Sequence, residues 1–283
     1  MLTTNPFSEL TAYIPAGVMQ AYVVLMFIFV AGGTVLDMLH KKSAKYFFEH
    51  AKRSQKLAKR KLGGGEKASL AVKVLTNEVM AAAEFANPRR RMSHLLLMYG
   101  FILFVVTTAI MIFGYLGADS KTPVLLPLLW HLGALMVCIG GYWFWFSIRV
   151  DVSAEGHPWY KVERDDVFIL SLLATTTLAL IWSFLQAVGA AFTADIFFIL
   201  FIIAATVLFT TVFFSKFAHM FYKPAAAFNK RVIWADGSRE RLPDIPDLSS
   251  AETKQRFPDI PKYMGENPPN MGLGINREPP QHY

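Results

Sequence analysis

The chain has 283 residues, 54% of them in the set AVILMFWYC and roughly 60% apolar with the 18 glycines included, above the roughly 45–50% of ordinary soluble domains. Only 17% are charged, with 28 Lys and Arg against 21 Asp and Glu for a formal net charge of +7, and the charges gather in blocks. This excludes a soluble enzyme, a disulfide scaffold and a disordered chain; the single cysteine, Cys138, permits no intrachain disulfide or CxxC motif.

Five stretches lack Asp, Glu, Lys and Arg: 10–36, 92–118, 122–148, 167–194 and 196–215. About 20 mostly apolar residues cross a hydrocarbon core of about 30 Å, so each stretch is long enough to span. The first reads as a retained span and not a removable signal peptide. Its apolar run is too long, no positive region precedes it, and the basic residues follow it. Segment 39–93 carries 14 of the 28 Lys and Arg, 149–166 three and 216–283 ten, leaving only Lys121 on the other side. The positive-inside rule therefore predicts an exoplasmic or periplasmic N-terminus and a cytoplasmic C-terminus.

The first cytoplasmic loop runs from His40-Lys41-Lys42 through Lys52-Arg53, Lys56 and Lys59-Arg60-Lys61 to a Gly63-Gly64-Gly65 break. It reads either as a topogenic surface for anionic lipid, each basic residue gaining about 1 kcal/mol, or as a dock for an acidic partner. After the glycines, Leu70, Val74, Leu75, Val79 and Ala82 recur at amphipathic-helix spacing up to Asn87-Pro88. Such a helix lies on the membrane or against a protein. Trp130, Tyr142, Trp143 and Trp145 read by position as interfacial aromatics, and Asp37, Arg149, Asp165 and Asp166 as residues at cytoplasmic span ends with water at hand. From Phe221 onward the chain turns polar and proline-rich, with no sustained helical or strand period. Arg241-Leu242-Pro243-Asp244-Ile245-Pro246 is echoed by Arg256-Phe257-Pro258-Asp259-Ile260-Pro261. Proline at these spacings favours extended backbone, so Leu242, Ile245, Phe257 and Ile260 are candidate partner-docking anchors; a disordered tail is the other reading. The chain thus divides into 1–38 (N-terminus and first span), 39–93 (basic loop with amphipathic helix), 94–219 (four-span bundle) and 220–283 (Pro-rich tail).

Ionisable residues within a membrane are costly and default to functional hypotheses. His94 begins the second span and His219 ends the fifth; antiparallel crossing brings both to one depth near the cytoplasmic surface. Two level histidines on neighbouring helices can clamp a haem iron axially. Interfacial histidines bonded to water or a carbonyl are the other reading. His131 lies about 10 Å into the third span from the outer side; it reads as a hydrogen-bonded packing histidine, or as a residue beside a quinone.

Ser93-His94-Leu95-Leu96-Leu97-Met98-Tyr99-Gly100, Asp166-Val167-Phe168-Ile169-Leu170-Ser171-Leu172-Leu173 and Phe214-Ser215-Lys216-Phe217-Ala218-His219-Met220-Phe221 resemble the gamma, or cytochrome b, subunit of respiratory nitrate reductase. The resemblance covers about residues 92 to 224. It implies an all-α five-transmembrane-helix bundle with a long cytoplasmic loop and an extended cytoplasmic tail, in a bacterial cytoplasmic membrane. That family carries two haems, each held by one histidine of the second span and one of the fifth. By this match His94 and His219 are the axial ligands of the cytoplasmic-side haem b. The outer pair falls on Phe104, ten residues after His94, and on Phe201, eighteen before His219; eighteen residues are five helical turns, so Phe201 shares the face of His219. Neither ring ligates iron, which implies one haem.

The ending from Pro261-Lys262-Tyr263-Met264-Gly265-Glu266-Asn267-Pro268-Pro269 to Pro279-Pro280-Gln281-His282-Tyr283 is similar to that of the membrane anchors of adenylylsulfate reductase and of the membrane subunit of the related quinone-interacting oxidoreductase. The latter carries an iron–sulfur domain, for which cysteines are lacking. The resemblance therefore implies a quinone-interacting redox subunit, not catalytic alone, that binds the alpha and beta subunits of adenylylsulfate reductase, membrane lipid and quinone, and no nucleic acid. A haem-free scaffold is the alternative. Transport is disfavoured, since inverted halves and interrupted mid-membrane helices are not evident.

Overall fold

The computed structural model describes residues 2–83, 85, 87–116, 121–151, 156–212, 219–238, 250–259 and 262, without the side chains of Ser43, His219 and Phe221. The described residues form helices and connecting turns, with no strand among them. They divide into two compact units, one of residues 1–45 and 75–224, the other of 46–74 and 225–283.

The first unit holds five helices long and apolar enough to cross a membrane. They are α1 (Ala16–His40), α4 (Pro88–Gly114), α5 (Leu125–Trp143, continued by a π-helical turn to Ile148), α6 (Val167–Ala187, entered through a 3-10 turn at Arg164–Asp166) and α7 (Ala191–Thr210). α4 starts sharply because Asn87 caps it, accepting from the backbone N–H groups of Arg89 and Arg90, with Pro88 at the first helical position. Packing runs α1 to α4, α4 to α5, α5 to α6, α6 to α7 and α7 back to α1, a closed ring. The α4–α5 crossing depends on glycine. A Cβ on Gly133 would lie 2.7 Å from the Phe104 backbone nitrogen, and one on Gly100 2.8 Å from the Gly133 carbonyl oxygen. Small residues let membrane helices approach where no water-driven hydrophobic gain holds them together. Ser93 Oγ adds a bond to the Gly140 carbonyl at 2.8 Å.

Several sequence expectations are corrected here. The first uncharged block does not span from residue 10. The chain before Pro15 forms a cap with a 3-10 turn at Glu9–Ala12, placing Phe7 and Leu10 in the core beside Trp130 and Trp182. Asn5 Nδ2 donates to Thr122 Oγ1, Gln186 Nε2 to the Pro6 carbonyl, and the Tyr13 hydroxyl to Asp195 at 2.7 Å. Trp130 and Trp145 are core residues and not interfacial ones, 0% and 5% exposed. Asp37 and Arg149 are not in water either: both are fully enclosed, because each has polar partners that the linear sequence does not reveal.

In the second unit, α2 (Ser43–Leu57, counted here from Tyr46) is a helix that the reading of the basic loop did not foresee. α3 (Gly64–Lys73) passes into a π-helical stretch at Val74–Met80. The expected amphipathic helix thus begins earlier, at the second glycine, and stops short of Asn87. Glu66 helps start it, accepting from the Gly63 N–H, and the Arg60 guanidinium and that N–H together lower its pKa. α8 (His219–Ala235, in this unit from Ala225) contradicts the expectation of no helical period beyond Phe221. Its Pro224 lies in the second turn, close to where proline is tolerated, and Ala225-Ala226-Ala227 follow with the highest helix propensity. The Ser54 hydroxyl meets that of Ser238 at 3.0 Å, Arg60 Nε donates to the Ala235 carbonyl at 2.7 Å, and Asn229 bonds the His50 ring at 3.0 Å. α9 (Ala251–Arg256), capped by Ser250, precedes the second tail echo and ends at its first residue.

Candidate functional site

His94 sits in the second turn of α4, half-buried, with Nδ1 shielded from solvent and its ring 4.9 Å from that of Phe85. Two cations flank the same Phe85 ring: the Lys223 ammonium at 4.9 Å and the Arg90 guanidinium at 5.5 Å from its centroid. The backbone of His219 opens α8; its side chain lies outside the described residues. Its neighbour Met220 and Leu97, one turn beyond His94, each pack against one buried cluster of Val137, Leu172, Leu208 and Val212. The start of α8 is therefore at the His94 end of the bundle. Tyr222 fixes it there, its hydroxyl donating to Asp37 Oδ2 at 3.0 Å, while Lys41 pairs with the other Asp37 oxygen at 2.7 Å. Burial, and then the bond and charge of Asp37, push the Tyr222 phenol up to about 12.

In donor type this end suits one b-type haem: a half-buried imidazole and two cations matched to propionates. The next level down does not. Phe104 of α4 and Phe201 of α7 line one apolar cavity of about 70 Å³, together with Tyr22, Met26, Leu172 and Leu208, well below the roughly 300 Å³ at which small-molecule pockets begin. Phe104 stacks on Trp130 at 5.1 Å and Phe201 on Trp182 at 5.6 Å. Rings occupy this level, and those of Phe104 and Phe201 offer iron no ligand.

His131 is 4% exposed and both its nitrogens are engaged. Nδ1 donates to the Pro127 carbonyl at 2.7 Å, since a carbonyl only accepts, so Nε2 accepts from the Ser183 hydroxyl at 2.8 Å. These two bonds are those of the hydrogen-bonded packing reading. Among the described residues no three His, Cys, Asp or Glu side chains converge as metal ligands. Of the tail anchors, Leu242, Ile245 and Ile260 lie outside the described residues. Phe257 caps the end of α9 with the Arg256 guanidinium 5.7 Å from its ring.

Sequence reasoning missed Arg149. All five of its N–H groups are used: Nε and Nη2 on Asp166 at 3.3 and 2.6 Å, Nη1 on the carbonyls of His157 and Pro158, and Nη2 on that of Lys161. Its guanidinium also lies 4.4 Å from the Trp145 ring centre. Only the charge sign and a nearby Asp hint at this in the sequence. No family model, curated protein or solved structure matches the chain.

Proposed function

We propose that the protein is a nitrate reductase gamma-like membrane anchor and electron-transfer subunit, linking cytoplasmic adenylylsulfate reductase to membrane quinone through one haem b. The observation that supports this reading is that Leu97, one turn after His94, and Met220, next to His219, pack against the same buried cluster. His94 and His219 would hold the haem iron, and Arg90 and Lys223 would balance its propionates. When bound, the haem takes and gives single electrons between an iron–sulfur cluster of the docked enzyme and a quinone. The protein's part is to exclude water from His94 with Phe85 and to hold the start of α8 through Tyr222 and Asp37. With Phe104 and Phe201 at the outer level, the quinone must approach from the haem's own half. The N-terminus faces the periplasm, and the cytoplasmic basic loop and tail meet the enzyme.

A haem-free tether is the second reading, favoured by the Phe101 and Phe209 rings, which stand 6.4 Å apart between α4 and α7. A reduced-minus-oxidised spectrum of the protein, co-purified with its flavin and iron–sulfur partner and assayed for haem per chain, separates the two. One b-type band that His94→Ala and His219→Ala abolish supports the redox subunit; its absence from fully loaded protein leaves only the tether.

A further inference from the structure

We propose that the loop over residues 156–163, pinned from beneath by Arg149, is an interfacial anchor that seats Trp159 and Tyr160 in the lipid headgroup layer. A line of exposed aromatics begins on the flank of the third span and runs past its end. Tyr142 stacks with Phe146 at 6.2 Å, Phe146 meets Trp159 at 6.2 Å, and Trp159 meets Tyr160 edge-on at 5.8 Å. All four are exposed, Trp159 at 55% and Tyr160 at 71%. The lower members belong to a helix long and apolar enough to span, on a side that also exposes Ile139. The upper ones continue that surface on the loop itself.

The occupant follows from continuity and chemistry. Rings that extend a lipid-facing flank, with an indole N–H and a phenol O–H at the wet end, match the headgroup boundary, where Trp and Tyr are enriched. Lys161, 64% exposed and 3.6 Å from the Glu163 carboxylate, can exchange that loose pairing for phosphate oxygens at that depth. Part of the loop's backbone is satisfied from within, which leaves the polar groups at Trp159 and Tyr160 to the wet headgroup side. The His157, Pro158 and Lys161 carbonyls turn inward to Arg149, and Asp166 takes the Glu163 N–H at 2.8 Å. Without those bonds the loop would need water for its polar groups. Arg149 is thus a positioning residue, holding the outward face of the loop rigid.

The test uses intact protein in liposomes whose lipids are brominated either near the carbonyls or near the chain ends. Emission of the wild type minus that of Trp159→Phe isolates Trp159. Roughly twofold stronger quenching by the shallow bromines than by the deep ones, with protection from aqueous iodide, is expected for a headgroup position. Quenching by iodide with indifference to both lipids puts the loop in water, facing a soluble partner or none, and overturns the proposal; so does stronger quenching by the deep bromines. Asp166→Asn, checked for retained helicity by circular dichroism, should blur the depth preference. An unchanged preference in that variant refutes the pinning by Arg149.

Discussion

Arg149 shows how much a single side chain can carry once it is enclosed. It is 1% exposed against an Asp166 side chain at 12%, so replacing it with glutamine strands a carboxylate and three carbonyls; the expected loss is about 3–5 kcal/mol, as for a broken buried pair, read as a lower melting temperature in detergent. His131→Ala should cost about 1–3 kcal/mol through its two lost bonds and leave any haem band unchanged, whereas His94→Ala should remove that band. Tyr222 gives a prediction in pH. Its folded value, raised to about 12, exceeds the ordinary value of about 10, so the folded state favours the neutral phenol. That stability is complete below about pH 10 and is lost as pH climbs toward about 12. Tyr13, raised to about 12 by burial and then by Asp195, adds its own loss over the same range. The free energy of unfolding measured against rising pH should therefore fall less steeply in Tyr222→Phe than in wild type, and less steeply again with Tyr13→Phe added.

At the scale of elements, the long helices were legible because membrane insertion is decided by summed apolar character over about 20 residues, which a linear reading measures directly. What the reading missed depends on contacts far apart in the chain. The cap before Pro15 looks like more of the same apolar block until Phe7 meets Trp182 at 5.4 Å, and Trp130 looks interfacial until that cap covers it. α2 and α8 went unseen for a related reason: Ser54 in α2 and Asp236 just past the end of α8, polar on paper, are enclosed at 2% and 4% exposure, so an apolar period alone does not mark them. At the candidate site, residue type and depth singled out His94 and His219, but the surroundings of His94, Phe85 with Arg90 and Lys223, gave no linear signal. Two element-level variants follow. Phe7→Ala opens a void between two tryptophans and should lower stability by about 3–5 kcal/mol. Gly133→Ala forces a Cβ onto the α4 backbone and should cost about 1–3 kcal/mol. Thermal unfolding checks both, and the second should also loosen hydrogen-exchange protection at the α4–α5 crossing.

For the whole molecule, the distribution of charge carries an expectation that no packing detail alters. Of the 28 Lys and Arg, 27 fall in segments on one side of the five crossings and only Lys121 on the other. Lys and Arg are held back from translocation whereas Asp and Glu matter little, so the asymmetry acts while the chain inserts, before the bundle exists. It should therefore survive variants that damage the core, such as Phe7→Ala. Cys138 is buried beside the Thr176 and Thr177 hydroxyls, which keeps the background low for labelling with a bulky, membrane-impermeant maleimide. In intact cells, Lys121→Cys should label, while Lys61→Cys should label only after permeabilisation. The reverse pattern would turn the basic loop and the His94 end away from the cytoplasm, and no cytoplasmic reductase could then reach either.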